Sequence, residues 1–261
     1  MKMNFIDLLK LSETKEIKDL DDSLTINIHK AIIQKKPFLK KLYLDFYREF
    51  KDTLKDLPKG EIVEIGSGAG FLKEVIPEVI TSDIFPSQYT DKVFDATKLP
   101  FNDNSVSVFF LLDVLHHIDD LFLFFKEAKR CLLRGGKIVM IEPFCSLWGN
   151  FIYKNFHHET FNENAEWQIK GEGRLTDANI ALPWIVFYRD REKFEKEFPD
   201  LKIKRLKPHT PFCYLISGGL SFKQLLPTFT YNLIKGIESI LSPLNKYLGM
   251  FITIELEKVS Q

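Results

Sequence analysis

The sequence predicts an α/β fold built on a parallel sheet, and three observations carry that prediction. From residue 61 onward, short apolar runs alternate with helical stretches, the pattern of βαβ units. The first run turns abruptly into three glycines at alternate positions, IVEIGSGAGF at 62–71. A helical stretch, LFLFFKEAKRCLL at 121–133, is followed by Arg134-Gly135-Gly136 and then by another apolar run.

In chain order, residues 1–58 carry apolar side chains at helical spacing, as in FLKKLYLDFYREFKDTL (38–54), and are expected as helices ending before Pro58-Lys59-Gly60. The expected strands are EIVEIG (61–66), EVITSD (78–83), KVFDA (92–96), SVFFLLD (107–113) and KIVMIEP (137–143). A sheet core over 60–143 follows. Residues 144–188 lose clean periodicity and gain aromatics and histidine, so they are expected as a cap insertion. DREKFEKEF (190–198) predicts a helix, and LKIKRLKP (201–208) and FITIELEKV (251–259) predict strands. Between these strands lies an apolar segment, 209–249, too long for a hairpin connection and expected as a helical insertion. The whole of 1–261 reads as a single domain.

Composition excludes several classes. The 36 basic and 36 acidic residues of the 261 cancel, so no overall field draws the chain to nucleic acid, and no basic cluster with interleaved aromatics appears. Three cysteines, Cys131, Cys145 and Cys213, form neither a disulfide framework nor a metal knuckle and suit a cytoplasmic protein. No run approaches the roughly 18 apolar residues of a membrane span, and the N-terminal stretch is too short for a secretory signal. The 24 phenylalanines hint at an apolar pocket.

Gly66, Gly68 and Gly70 allow backbone to approach a ligand, because glycine lacks a Cβ and tolerates positive φ. A tight strand-to-helix turn would also use them. The dinucleotide fingerprint needs a third glycine where Phe71 stands. Glu64, two residues before Gly66, can face a cationic or hydroxyl-bearing ligand.

VEIGSGAG resembles motif I of the class I S-adenosylmethionine-dependent methyltransferases. The later pieces follow in family order: Asp83 at the end of the second strand, FDATKLPFNDNSVSVFF (94–110), LLDVLHHI (111–118) and EAKRCLLRGGKIVMIEP (127–143). The chain is similar to the broad type 11 group that includes the ubiquinone and menaquinone C-methyltransferases. The resemblance implies a Rossmann-like sheet of seven strands, mostly parallel with the last antiparallel, and helices on both faces. It implies S-adenosylmethionine as cofactor and S-adenosylhomocysteine as product. It also implies a cofactor site made of Glu64, Gly66, Ser67, Gly68, Gly70, Asp83, Ile84, Asp95, Ala96 and Asp113, with Asp83 taking the ribose hydroxyls and Asp95 the adenine amino group. One departure is Pro77, which closes the first helix seven residues after Gly70.

The acceptor is not implied by the family. Methyl transfer from a sulfonium needs positioning above all, and a base where the acceptor must lose a proton. Histidine is the natural candidate near neutral pH. His117 follows the fourth strand, and His157 and His158 sit in KNFHHETF (154–161); these three are the candidate catalytic residues. No metal is expected, because adjacent residues rarely chelate one ion and no spaced Cys/His set is present. In 215–250, Ile234, Ile237, Ile240 and Leu241 share one helical face, with Lys223, Lys235 and Lys246 nearby. That face can lie on a membrane surface, roof a lipid pocket or pack on the sheet as a lid. The expected function is methyl transfer to a small, hydrophobic or lipid-linked acceptor. A non-catalytic cofactor-binding or membrane-surface subunit and an NAD-dependent oxidoreductase are the alternatives.

Overall fold

The computed structural model describes residues 9–13, 24–157, 159–169 and 177–260. Seven strands form one sheet: β1 Glu61–Ile65, β2 Ile80–Asp83, β3 Lys92–Val93, β4 Val106–Leu112, β5 Leu132–Pro143, β6 Leu201–His209 and β7 Phe251–Lys258. Their spatial order is β3-β2-β1-β4-β5-β7-β6. β7 runs antiparallel to both of its neighbours, and the other pairs are parallel. The expected seven-stranded sheet with an antiparallel last strand is therefore present.

The helices are α1 Leu24–Lys35, α2 Pro37–Asp52, α3 Leu121–Cys131, α4 Leu147–Phe156, α5 Arg191–Glu197, α6 Cys213–Ser217 and α7 Tyr231–Ile240. β4 at the centre is buried along almost its whole length and apolar except for Ser107, because both of its faces are covered. Val108 and Phe110 point to the side of α2, while Phe109 and Leu111 point to the side of α3. α2 begins with proline at its first turn, where a missing N–H costs nothing, and buries Phe38, Leu42, Phe46 and Phe50 at four-residue spacing. The Phe50 ring stacks on Phe110 at 4.6 Å between centroids. α3 is capped by Asp120, whose carboxylate accepts the Leu123 N–H at 3.0 Å, and buries Leu121, Phe124, Phe125 and Ala128.

Four expectations are corrected. α3 stops at Cys131, and Leu132 is already extended and opens β5, so the Arg134-Gly135-Gly136 stretch lies inside the strand. Gly135 has φ +79, and a Cβ on Gly136 would stand 2.8 Å from the Leu133 carbonyl, so the glycines let the strand kink and do not end the helix. The helix expected after Gly70 shrinks to one turn, Leu72–Glu74, before Pro77. The presumed cap divides: α4 and His157 border the central cavity, but Leu182, Ile185, Val186 and Phe187 are core residues packed with α3.

The last correction concerns α7, where the face named from the sequence is split: Ile237 and Ile240 are exposed while Ile234 packs against the core. Ile240 is 80% and Leu233 65% exposed, while Tyr231 and Glu238 are buried. Polar pairing sets this orientation. The Tyr231 hydroxyl donates to Asp45 at 2.6 Å, and one Glu238 oxygen accepts the N–H groups of Phe212 and Cys213 at 2.9 and 2.8 Å, holding the start of α6. Among the described residues no helix is long and apolar enough to cross a membrane.

Because Phe110 is wholly buried and stacked in the centre of the sheet, Phe110→Ala is expected to cost about 3–5 kcal/mol. Urea unfolding measures it; a loss under about 1 kcal/mol would mean that this layer of the core is not closely packed.

Candidate active site

The glycine loop is shaped by what stands beside it. Gly66 has φ +67, and a Cβ there would lie 2.6 Å from a Val114 methyl on the turn after β4. Gly68 has φ +50, yet a Cβ on it would meet only the Gly66 carbonyl at 4.0 Å, so the space above the loop is open. The loop is tied to β2: the Ser67 N–H donates to the Ser82 carbonyl at 2.8 Å, and the Ser82 N–H donates to Ser67 Oγ at 3.0 Å. Asp83 then holds the rim, its two oxygens accepting the N–H groups of Gly68 at 2.9 Å and Phe85 at 3.1 Å. Asp95 forms a local turn, accepting from the backbone and hydroxyl of Thr97 at 2.8 and 2.7 Å. Phe71, in the place of a third phosphate glycine, is buried edge-on against Tyr47 at 4.9 Å.

These pieces border one cavity of about 1160 Å³ at the carboxyl ends of the central strands. Each cofactor residue expected from the sequence, Ile84, Ala96 and Asp113 included, lines it, as do His117 and His157. His158 lies outside the described residues. The cavity also has an aromatic and apolar lining, with Tyr43 and Tyr47 beside Phe71, and Tyr153, Tyr214 and Met250. Burial pushes the phenols of all four tyrosines up, so they stay neutral and act as donors rather than bases.

Buried carboxylates dominate the electrostatics. Glu64 is fully enclosed, and its Oε2 has no hydrogen-bond partner among the described residues. Burial pushes its pKa up to about 8, against a hydrogen bond from Ser67 that lowers it. Asp113, held at φ +61 just after β4, is pushed up to about 7, again chiefly by burial. Glu142, near the end of β5, is fully buried and well satisfied. One oxygen accepts the N–H groups of Val114 and Leu115 at 2.9 and 2.8 Å, and the other lies 2.8 Å from His116 Nδ1.

That histidine turns its other nitrogen to Glu159. His116 Nε2 lies 3.4 Å from one Glu159 oxygen, and His117 Nε2 lies 3.8 Å from the other. His157 Nδ1 stands 3.9 Å from the same carboxylate. Although burial opposes charge on His116, the carboxylates on either side hold its pKa well above the ordinary value. Glu159, desolvated but facing three imidazoles, is held well below the usual carboxylate range. The sequence reading missed Glu142 and gave Glu159 no role of its own. Glu142 had a signal, since it is a lone acid in the otherwise apolar KIVMIEP; the Glu159 pairing needed the fold.

The family model described as a methyltransferase domain matches residues 63–140. No curated protein matches the chain in sequence. Among solved structures, the geranyl diphosphate C-methyltransferase of Streptomyces coelicolor A3(2), in complex with Mg2+, geranyl diphosphate and S-adenosyl-L-homocysteine, is similar with a TM-score of 0.52. It is 15% identical, over 89% of this chain and 84% of that one. The same enzyme with geranyl-S-thiolodiphosphate gives a TM-score of 0.51 at 16% identity, over 85% and 78% of the two chains. An S-adenosylmethionine-dependent methyltransferase from Mesorhizobium loti gives 0.46 at 15% identity, over 81% and 96%. Residues 63–140 thus match a methyltransferase domain, and the chain shares the fold of an S-adenosyl-L-homocysteine-binding methyltransferase.

Proposed function

We propose that the chain methylates a small apolar or lipid-linked acceptor within the central cavity. The observation that carries this reading is that one cavity holds both the glycine loop and the tyrosine-lined wall. Its volume exceeds the roughly 300–1,000 Å³ of an ordinary single-ligand pocket, which leaves room for a cofactor and an acceptor side by side.

The residues fit the cofactor. The open space above Gly68 suits a ligand pressed against backbone, and Asp83 suits a vicinal diol, since a carboxylate can accept two hydrogen bonds. Glu64 has a buried oxygen without a partner, which an ammonium group would satisfy. Asp95 and Ala96 stand along the wall where an adenine ring would lie, next to Ile84. When bound, S-adenosylmethionine supplies an electrophilic methyl on a sulfonium.

The protein's own contribution is mainly positioning, which can be worth about 7–11 kcal/mol when reacting atoms are held near contact. The tyrosine wall orients an apolar acceptor and keeps water out. His117 and His157, drawn together around Glu159, are the groups placed to take or hold the acceptor's proton. The outward face of α7 supports a lipid-linked acceptor. Phe229 is 85% exposed beside Leu233 and Ile240, and Leu225, also exposed, reaches into the cavity lining. Lys223, Lys235 and Lys246 lie in the same segment. An apolar face with a basic border suits the interface of an anionic bilayer.

Two measurements follow. S-adenosylhomocysteine is expected to raise the melting temperature of the full chain, NAD(H) to leave it unchanged, and Asp83→Ala to abolish most of the S-adenosylhomocysteine shift. Stabilisation by NAD(H) alone would overturn the cofactor reading. In flotation with vesicles of phosphatidylcholine and phosphatidylglycerol, most of the wild-type protein should rise with the lipid, and a Phe229→Glu, Ile240→Glu double variant should stay behind. Wild-type protein remaining at the bottom would remove the membrane contact and leave a freely diffusing acceptor.

A further inference from the structure

In the sequence, His116 and His117 are adjacent and Glu159 is more than forty residues away, so no metal-ligand spacing is visible. The fold supplies the spacing. The turn Leu115–His117 sets the two imidazoles side by side, 4.3 Å between ring centroids, and the chain after α4 returns Glu159 to face both. One ligand atom from each of the three residues lies within 4.8 Å of the others.

The separations matter more than the proximity. Glu159 stands 3.4 Å from His116 Nε2, at the long end of a hydrogen bond, and 3.8 Å from His117 Nε2. Bonds of about 2.0–2.2 Å to a tetrahedral ion place neighbouring ligand atoms about 3.3–3.6 Å apart. The His116–Glu159 separation matches such an edge, and the His117 separation is a few tenths of an ångström longer. His116 is also fixed from behind. Glu142 holds its Nδ1 at 2.8 Å while its other oxygen accepts two backbone N–H groups, so Nε2 is the nitrogen aimed at Glu159. A bound ion would take the place of the proton on that nitrogen. A carboxylate behind a ligating histidine is the usual support of a bound metal.

We propose that His116 Nε2, His117 Nε2 and Glu159 bind one divalent transition-metal ion, Zn2+ in the first instance. Two imidazoles and one carboxylate suit zinc better than Mg2+ or Ca2+, which take oxygen ligands. Three protein ligands leave a fourth position, and His117 and Glu159 both line the cavity, so that position faces the acceptor. The ion would orient an acceptor oxygen there. The assignment rests on the cluster's geometry; with His117 Nε2 on the ion, His157 is the histidine left to take the acceptor's proton.

The test uses the full chain, stripped with a chelator, without cofactor, and titrated with Zn2+ or Mg2+ in a calorimeter. One Zn2+ per chain and no Mg2+ are expected. Co2+ should give the intense visible absorption of a four-coordinate site. Glu159→Gln and His117→Ala, checked for folding by circular dichroism, should each weaken Zn2+ binding by at least about 100-fold, and Glu142→Gln by about 10–100-fold. If either ligand variant unfolds, the cobalt spectrum of the wild type decides alone. Absence of Zn2+ binding, a six-coordinate cobalt spectrum, or zinc affinity unchanged in both folded ligand variants would overturn the proposal. S-adenosylhomocysteine stabilisation, measured separately, would be untouched by that failure.

Discussion

Three neighbouring strands of the sheet, β1, β4 and β5, bring a carboxylate to the same buried edge. Glu64 lies on β1, Asp113 follows β4 directly, and Glu142 is the penultimate residue of β5. Burying an ionised carboxylate is costly unless it is paired or hydrogen-bonded, and three within one edge repel each other as well. Much of the site's construction answers this constraint. Glu142 is satisfied from inside the fold by two backbone N–H groups and His116. Glu64 keeps one oxygen without a partner among the described residues, and burial raises its pKa and that of Asp113.

A fold that leaves Glu64 with an unpartnered oxygen in the wall of a cavity is prepared for positive charge. Glu64 faces the glycine loop side, where a sulfonium nucleoside with its ammonium group would supply the charge. A second polar cluster lies around His116, His117 and Glu159, the last two lining the same cavity. The cavity's tyrosines carry no charge of their own, because burial keeps their phenols protonated.

What was legible in the sequence was whatever depends on neighbours along the chain. The apolar runs located β1, β4 and β5, and the alternate glycines located the turn after β1 that lines the cavity, because strand period and glycine freedom are local properties. Pro77 foretold a short first helix, though not its reduction to one turn. The errors arose where tertiary contacts decide. Gly135 and Gly136 look like a helix stop, yet pairing with β4 extends β5 back to Leu132. The isoleucines of α7 share one face in the sequence, but Tyr231 and Glu238 find buried polar partners, and Ile240 is left exposed while Ile234 packs on the core. The cluster around Glu159 was hidden for the same reason, since its members meet only after the strand ends and the segment behind α4 fold together.

The central claim is that the edge holds Glu64 protonated until a cationic ligand arrives, and proton release on binding tests it most directly. S-adenosylmethionine is titrated calorimetrically at pH 7 in buffers of different ionisation enthalpy, with wild type and Glu64→Gln compared. Glu64 sits near pKa 8 in the free protein, so it is neutral at that pH and ionises when the ammonium group pairs with it. The account predicts release of close to one more proton from the wild type than from Glu64→Gln, with affinity rising as pH increases towards 8 in the wild type only. Equal proton release from the two proteins, or none from either, would contradict it.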